Sequence, residues 1–281
     1  MRQTVIRAAV PGVAMLLLTA VAVAFVTRFI LERVSLDGLI LNLILRNRDP
    51  YLGMPLIDAV AVAMARSVVL IVLATALAAV VGFVLAILHF AARHRLVRAI
   101  AWSLGTAGVS LPSFFWAMLL QLVAITWFLT TGHGLVPTSG FGLDEHIVLP
   151  TIALMARPAA YVFRTTATAF QEIASRDYVR TAEAKGLGAR LVLMRHIFPN
   201  ARPTFFAGIG YASRSVLSSL AIVEYIFSWN GAGLAFIYAI ANRNVDFAVA
   251  LAVCFATLFA LVNVTLAALS RNSAEQAMAA A

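Results

Sequence analysis

The sequence predicts an all-α membrane protein with six transmembrane helices, organised as one domain over residues 1–281. Of the 281 residues, 62% are hydrophobic and only 12% are charged, whereas about a quarter of the residues in a soluble domain are charged. Most of the charges lie between uncharged runs, and a helix needs about 20 apolar residues to cross a bilayer. No run shows the alternation over about ten residues that is typical of a membrane-spanning strand.

Six hydrophobic segments correspond to the predicted helices in chain order. The first, second, third and sixth contain no Lys, Arg, Asp or Glu. The third is long and contains Pro112, where we expect a kink because proline lacks the backbone N–H. The fourth includes Arg157, Pro158 and Arg164, and the fifth includes Arg214. The predicted spans are 8–27, 67–92, 99–130, 147–171, 203–223 and 247–270.

Basic residues are concentrated in alternate loops, and this asymmetry predicts that both termini lie in the cytoplasm. The stretch between the fourth and fifth spans, residues 175–200, is rich in Arg and contains Lys185, the single lysine of the chain. The loop at 131–146 contains no Lys or Arg. The segment 28–66 is an exception because it carries five arginines, although four acidic residues accompany them.

The first 24 residues also fit a cleaved signal peptide. Arg2 and Arg7 would form its basic start, and Ala-Val-Ala at 20–22 or 22–24 would form its cleavage site. The hydrophobic run is longer than a usual signal core. Small-residue triplets are also common in so alanine-rich a chain, and we therefore favour a retained first helix.

The chain lacks the motifs of several enzyme classes, which predicts no catalytic residues and no directly bound cofactor. Lys185 stands in AKGL, whereas a phosphate-binding loop requires Gly-Lys-Ser/Thr. No His is followed by Glu, so the His-Glu-x-x-His zinc helix is excluded. Residues 144–146, Asp-Glu-His, are of metal-binding types, but their spacing matches no defined site. The net charge of +9 is dispersed, so we do not expect nucleic acid as a partner.

The stretch DYVRTAEAKGLGARLVLMRHIFPN, residues 177–200, predicts a short helix at the cytoplasmic face. Ser175 and Asp177 are both candidates for its N-cap, and Gly186 suits the left-handed position after its end. A second short helix is expected over 188–198, with Leu191, Met194 and Phe198 along one side, and a break at residues 199–200. A helix presented in this way offers side chains to a groove on a partner. The alternative is an ordinary basic loop.

The same stretch resembles the cytoplasmic signature loop of ABC importer permeases, in the version of the dipeptide, oligopeptide and nickel importers. Gly186 and Pro199 keep the family spacing, and 180–182 occupy its Glu-Ala-Ala positions, while Glu183 is out of register. Further segments are similar to the same family: SLPSFFWAMLL (110–120), LVPTSG (135–140), HIVLPTIAL (146–154) and VEYIFSWNGAGLAFIYAI (223–240). The last of these resembles the first, or B-type, permease of a pair.

This resemblance implies a type I importer permease fold in the bacterial inner membrane. It implies a subunit that forms half of the path of an ATP-driven, binding-protein-dependent importer. The implied partners are a second related permease, an extracytoplasmic binding protein, and two ATPase subunits that hold ATP and Mg. It leaves the solute open among dipeptides, longer peptides, opines, nickel chelates and glycosides. The residues implied to dock on an ATPase are Asp177, Tyr178, Arg180, Thr181, Ala182, Lys185, Gly186 and Pro199.

Three charged residues within the predicted fourth and fifth spans, or at their edge, are candidates to line a path: Arg157, Arg214 and Glu224. Charge inside a membrane is costly and usually faces protein or a water-filled cavity. We expect the two arginines to favour an anionic or carboxylate-bearing solute. The alternative is that they pair with Glu224 or with helix carbonyls, or reach the interface.

Two further alternatives concern the outer segment and the mode of transport. FSWNGAGLAF, residues 227–236, fits a re-entrant segment that touches a binding protein, or an aromatic belt with a glycine turn. An ion-gradient-driven transporter or channel is the competing functional class. Such a protein often shows repeat symmetry and broken helices at matching places, and the sequence contains no convincing repeat.

Overall fold

The computed structural model describes residues 55–92 and 94–279, with side chains up to residue 265. The predicted first span, 8–27, lies outside the described residues. The described part of the chain forms nine α-helices, which confirms the all-α class. They are α1 (Leu56–Ala91), α2 (Arg95–Ser110), α3 (Ser113–Thr131), α4 (Val148–Ala174), α5 (Asp177–Ala184), α6 (Ala189–Val192), α7 (Phe198–Phe227), α8 (Ala232–Ala241) and α9 (Val245–Ala279). A 3-10 turn (Glu145–Ile147) precedes α4, and a π-helical turn (Leu193–Ile197) joins α6 to α7.

Five helical segments in the described part of the chain are long and apolar enough to cross a membrane. They are Leu56–Ala91, Ser113–Thr131, Glu145–Ala174, Ala189–Phe227 and Val245–Thr265. Each overlaps one of the predicted second to sixth spans. The fourth and fifth are longer than predicted because their helices continue into the polar stretch between them.

The predicted third span, 99–130, is wrong as a single kinked helix. It divides into α2 and α3, and Leu111 between them is extended, with φ −87° and ψ 132°. The residue before a proline is driven out of the α region by a clash with the proline ring, so Pro112 separates two helices rather than bending one. Only α3 has the length of a span.

Contacts group the described residues into two compact units. The first contains the described residues up to Leu73, together with Phe114–Leu154 and Leu217–Val264. The second contains Ala74–Ser113, Met155–Val216 and the residues from Thr265 onward. The one domain predicted from the sequence therefore contains two contact units.

The core of the first unit joins α1, α8 and α9. Small residues dominate it, because six of its ten buried members are alanines. Small side chains let helix backbones approach closely, which is how helices associate in lipid. Larger members such as Leu56, Phe247 and Leu251 fill the remaining space.

The core of the second unit is aromatic and includes the short helix α5. Phe163 and Phe170 of α4 are fully buried in it, and Val179 of α5 lies in the same cluster. Phe83 of α1 meets Phe170 edge to face, with ring centroids 6.3 Å apart. The polar stretch after α4 therefore packs against the core of the second unit and is not a free loop.

Candidate functional site

The short helix α5 ends in the arrangement that the sequence predicts around Gly186. Gly186 has a φ of +82°, a conformation that costs glycine little and other residues about 1–2 kcal/mol. Its N–H donates to the carbonyl of Glu183 at 2.9 Å, and the N–H of Leu187 donates to the carbonyl of Ala182 at 3.4 Å. These two bonds define a Schellman motif, so the prediction for Gly186 is confirmed.

The start of α5 differs from the prediction of a side-chain cap. Arg176 occupies the capping position with extended backbone, and none of the described side chains caps the helix there. Ser175 instead donates its hydroxyl to the carbonyl of Glu172 at 2.7 Å. Asp177 is the first helical residue, where a carboxylate favours the positive end of the helix dipole. The N-cap prediction is wrong by one residue, because Arg176, which lies between the two candidates, occupies the N-cap.

Two side chains fix α5, and most of the others are exposed. Val179 and Ala182 are 0% and 4% exposed, and residues three apart share a helix face. Of the eight residues predicted to dock on a partner, Ala182 therefore faces the protein and Pro199 is half-buried. The remaining six are exposed: Asp177, Tyr178, Arg180, Thr181, Lys185 and Gly186.

The predicted break at residues 199–200 is wrong, because the chain is helical from Ala189 into the fifth span. α6 leads through the π turn directly into α7. Within that turn, Phe198 donates its N–H to the carbonyl of Leu193, five residues earlier. In a regular α-helix the ring of Pro199 would clash with the carbonyl four residues before it. The wider turn immediately ahead of Pro199 accommodates the ring.

The π turn also changes which side chains of this stretch are buried. Val192 and Ile197 are each 1% exposed, and residues five apart share a face in a π-helical register. Leu191 and Met194, predicted with Phe198 to form the apolar side, are 40% and 54% exposed. The predicted side was wrong because it assumed an α-helical period throughout.

Exposed residues of α5, α6 and the connected turns lie in the second unit, and because the sequence predicts that this stretch docks on a partner, we call them the docking surface. It combines basic and apolar side chains. Val179 and Val192, which belong to the same short helices, are buried in the core of the second unit. An exposed helix of this kind fits a groove on a partner. The docking surface consists of Tyr178, Arg180, Lys185, Arg190, Leu191 and Met194.

In the first unit, a buried carboxylate binds the start of α8. Glu224 is 0% exposed, and its Oε2 accepts hydrogen bonds from the N–H groups of Gly233 at 2.8 Å and Leu234 at 3.0 Å. Its Oε1 accepts from the Ser67 hydroxyl at 2.5 Å. The Ser67 oxygen in turn accepts from the N–H of Ala232 at 2.7 Å. The first N–H groups of a helix lack intrahelical partners, and these two side chains satisfy three of them.

Glycines allow this close approach before and within the first turn of α8. A Cβ at Gly231 would overlap the Glu224 carboxylate and the Ser67 hydroxyl. A Cβ at Gly233 would lie 2.5 Å from the Cα of Ala221. Any larger residue at either position therefore displaces α8 from α1 or α7.

Aromatic contacts hold the segment between α7 and α8. Trp229 is 0% exposed, and its ring lies edge to face against Phe141 with centroids 4.8 Å apart. Arg66 donates to the carbonyl of Asn230 at 3.2 Å, and its guanidinium lies 4.2 Å from the Phe141 ring centroid. Because Trp229 packs inside the protein, the alternative of a lipid-facing aromatic belt does not describe it.

The two arginines of the predicted path lie in the second unit. Arg157 is half-buried on α4, and its Nε is buried without a hydrogen-bond partner among the described residues. Arg214 is exposed on α7. Glu224 has no exposed surface and uses both oxygens within the first unit. Its contact with a solute stays a prediction.

Three polar residues of these sites were not identified from the sequence. Ser67 opens an uncharged run, and nothing near it in the chain indicates a partner 157 residues away. Tyr161 and Tyr211 stack on each other with ring centroids 3.7 Å apart. Tyr161 lies four residues after Arg157, and Tyr211 lies three residues before Arg214. This helical spacing is a sequence signal that could have identified the two tyrosines.

Asp144 and His146 contact each other in the loop before α4. Oδ1 of Asp144 lies 2.7 Å from Nδ1 of His146 and accepts the His146 backbone N–H at 3.1 Å. The hydrogen bond from the His146 side chain lowers the pKa of Asp144 below its ordinary value. Among the described residues, no three His, Cys, Asp or Glu side chains are grouped so as to hold a metal ion.

Comparisons with known proteins agree with one another on the family. The model of the family described as binding-protein-dependent transport system inner membrane component matches residues 78–275. The dipeptide transport system permease protein of Escherichia coli (strain K12) is 31% identical over 66% of this chain and 62% of its own length. The di/tripeptide transport system permease protein of Pseudomonas aeruginosa (strain UCBPP-PA14) is 33% identical over 56% of this chain and 54% of its own.

A third relative and a solved structure extend these findings. The glutathione transport system permease protein of Salmonella choleraesuis is 29% identical, with 61% of this chain and 54% of the relative matched. The chain thus spans between half and two thirds of the length of these relatives. A crystal structure of an amino acid ABC transporter with histidines matches with a TM-score of 0.57 and 15% identity, covering 76% of this chain and 92% of that chain. That likeness concerns the fold alone.

Proposed function

Because the chain belongs to the family of binding-protein-dependent transport system inner membrane components, we propose that it is the permease subunit of an ATP-driven importer of peptides or similar small solutes. The relatives named for dipeptide, di/tripeptide and glutathione transport support peptides as the solute class. Hydrolysis of ATP, with its Mg, belongs in this proposal to separate ATPase subunits.

The observation that carries the proposal is the docking surface. α5 exposes Tyr178, Arg180 and Lys185, while Val179 and Ala182 fix it to the core. A helix fixed on one side and exposed on the other transmits a displacement of its partner to the spans behind it. We assign one ATPase subunit to this surface and a second ATPase subunit to the equivalent surface of a related permease.

The remaining partners and the orientation follow from the same proposal. An extracytoplasmic binding protein delivers the solute, and both termini lie in the cytoplasm of a bacterial inner membrane. Arg157 and Arg214 line the path, and Glu224, near the outer end of the fifth span, is a further candidate to line it. ATP drives the cycle only through a difference in its affinity for the two arrangements of the spans.

The test compares one charge placed on the docking surface with the same charge placed elsewhere. Met194→Asp puts a carboxylate into the proposed interface, and Leu135→Asp puts it on the loop at 131–146, where Leu135 is 52% exposed. An unpaired buried charge weakens an interface, so ATPase binding by Met194→Asp should fall by at least about fivefold, ~1 kcal/mol. Equal ATPase co-purification with both variants contradicts the proposal.

A further inference from the structure

Two tyrosines stack on each other in the middle of two membrane-spanning helices. Tyr161 of α4 and Tyr211 of α7 have ring centroids 3.7 Å apart and an interplanar angle of 23°. Both side chains are half-buried. Tyrosine in a membrane protein usually collects at headgroup depth, whereas these two lie near the centres of their helices. Their position therefore needs a different explanation.

The contacts between α4 and α7 show that the two helices run antiparallel. A Cβ at Gly208 would lie 3.4 Å from the Thr165 hydroxyl. Tyr161, which is four residues earlier on α4, meets Tyr211, which is three residues later on α7. A step toward the N-terminus of α4 therefore corresponds to a step toward the C-terminus of α7.

This antiparallel register places Arg157 and Arg214 at the same level. Arg157 precedes Tyr161 by four residues and Arg214 follows Tyr211 by three, which at 1.5 Å per residue is ~6 Å and ~4.5 Å along the helix axes. Residues four and three apart share a helix face. Both arginines thus lie on one side of the tyrosine pair, on the faces that carry the tyrosines.

Arg157 has an unused donor at this place. Its Nε is buried and has no hydrogen-bond partner in the described part of the chain. A buried donor without an acceptor is costly, and a guanidinium presents its N–H groups in a fork that matches a carboxylate. Because this Nε is buried, its contact with water is reduced, and an ionic interaction is stronger in such a place.

We propose that Arg157, Tyr161, Tyr211 and Arg214 form a station that binds the free carboxylate of a solute on its way through the protein. The station rests on the proposed function and adds to it a substrate class, solutes with a free carboxylate such as a peptide with an unmodified C-terminus. The arginines bind the carboxylate, and the tyrosine stack forms one end of the site.

The test measures occupancy rather than transport. The purified importer complex is treated with phenylglyoxal, which modifies guanidinium groups, and the adduct at each arginine is quantified by mass spectrometry. Alanyl-alanine and alanyl-alanine amide serve as probes, because they differ only in the carboxylate. Arg164 is the internal control, since it lies on the same helix face with its guanidinium 5.1 Å from the Trp102 ring centroid.

Alanyl-alanine should lower the adduct at Arg157 at least about threefold, which corresponds to a binding difference of ~0.7 kcal/mol, and should leave Arg164 unchanged. The amide should protect neither arginine, and Tyr211→Ala should reduce the protection by alanyl-alanine. Equal protection by the two probes, or no protection by either, overturns the station. Equal ATPase co-purification with Met194→Asp and Leu135→Asp would count against the proposed function alone, because protection at Arg157 needs no ATP.

Discussion

The hydroxyl of Ser67 lies 2.5 Å from a carboxylate oxygen of Glu224, although 157 residues separate them in the chain. Ser67 belongs to α1 and Glu224 to α7, and together they bind the first three N–H groups of α8. One carboxylate and one hydroxyl therefore hold three helices of the first unit together.

Removal of the Glu224 carboxylate should lower the free energy of unfolding substantially. Glu224→Ala leaves two buried N–H groups and the Ser67 hydroxyl without their acceptor, and each buried donor left without an acceptor costs ~1–3 kcal/mol. Glu224→Gln keeps one acceptor oxygen and should be intermediate. Thermal unfolding of the purified protein in detergent measures both. Ser110→Ala is the control, because that hydroxyl only donates within its own helix, and an equal loss in all three variants would contradict the role of Glu224.

The glycines at the start of α8 should be intolerant of a single methyl group. In Gly233→Ala the new Cβ meets the backbone of Ala221, and overpacking of this kind costs about 1–3 kcal/mol. Gly134→Ala is the matched control, because nothing lies within 4 Å of a Cβ there, and it should leave the unfolding midpoint unchanged. A wild-type midpoint for Gly233→Ala would show that α8 can shift freely against α7.

Substitution of Gly186 should weaken the connection between α5 and α6 without affecting the membrane spans. Gly186→Ala forces a side chain into a φ of +82°, at a cost of about 1–2 kcal/mol. We expect faster proteolysis of the 184–189 segment and less uptake for each ATP hydrolysed by the importer. Gly188→Ala tests the specificity of this effect, because Gly188 has a φ of −64° and open space around it. Similar behaviour of the two variants would argue against the Schellman motif as the cause.

The contact between Asp144 and His146 should make the loop before α4 sensitive to acid. Its hydrogen bond from His146 lowers the pKa of Asp144, so its stabilisation is present at neutral pH and is lost as the pH falls through that lowered pKa. The difference in unfolding midpoint between wild type and Asp144→Asn should therefore shrink on acidification from about pH 4 to about pH 2. Leu143→Ala, an exposed neighbour, should show no such trend. A difference that stays constant over this range would exclude Asp144 as the titrating group.

Local backbone chemistry made parts of the fold predictable. Gly186 was identified correctly because only glycine adopts a positive φ at low cost, and the second to sixth spans were located from apolar runs of sufficient length. The sequence also predicts a disturbance at Pro112, and the restriction that a proline places on the residue before it makes this disturbance a break at Leu111 rather than a kink.

Other features depend on contacts that no local pattern contains. Ser67 and the N–H groups of α8 are brought to Glu224 by tertiary packing over more than 150 residues. The buried side of residues 189–198 includes Val192 and Ile197, which a π turn brings onto one face, whereas an α-helical period places residues five apart on different faces. The tyrosine stack was missed because two aromatic residues in apolar helices usually indicate ordinary packing.

The absence of a break at Pro199 has a mechanical consequence. From Ala189 to Phe227 the chain is helical over 39 residues, a length of ~58 Å, or nearly twice the ~30 Å hydrocarbon thickness of a bilayer. Leu191 and Met194 thus lie on the same continuous helix as the residues of the fifth span. A partner that displaces these two side chains acts on that helix directly, because no loop lies between them and the part that is apolar enough to cross the lipid.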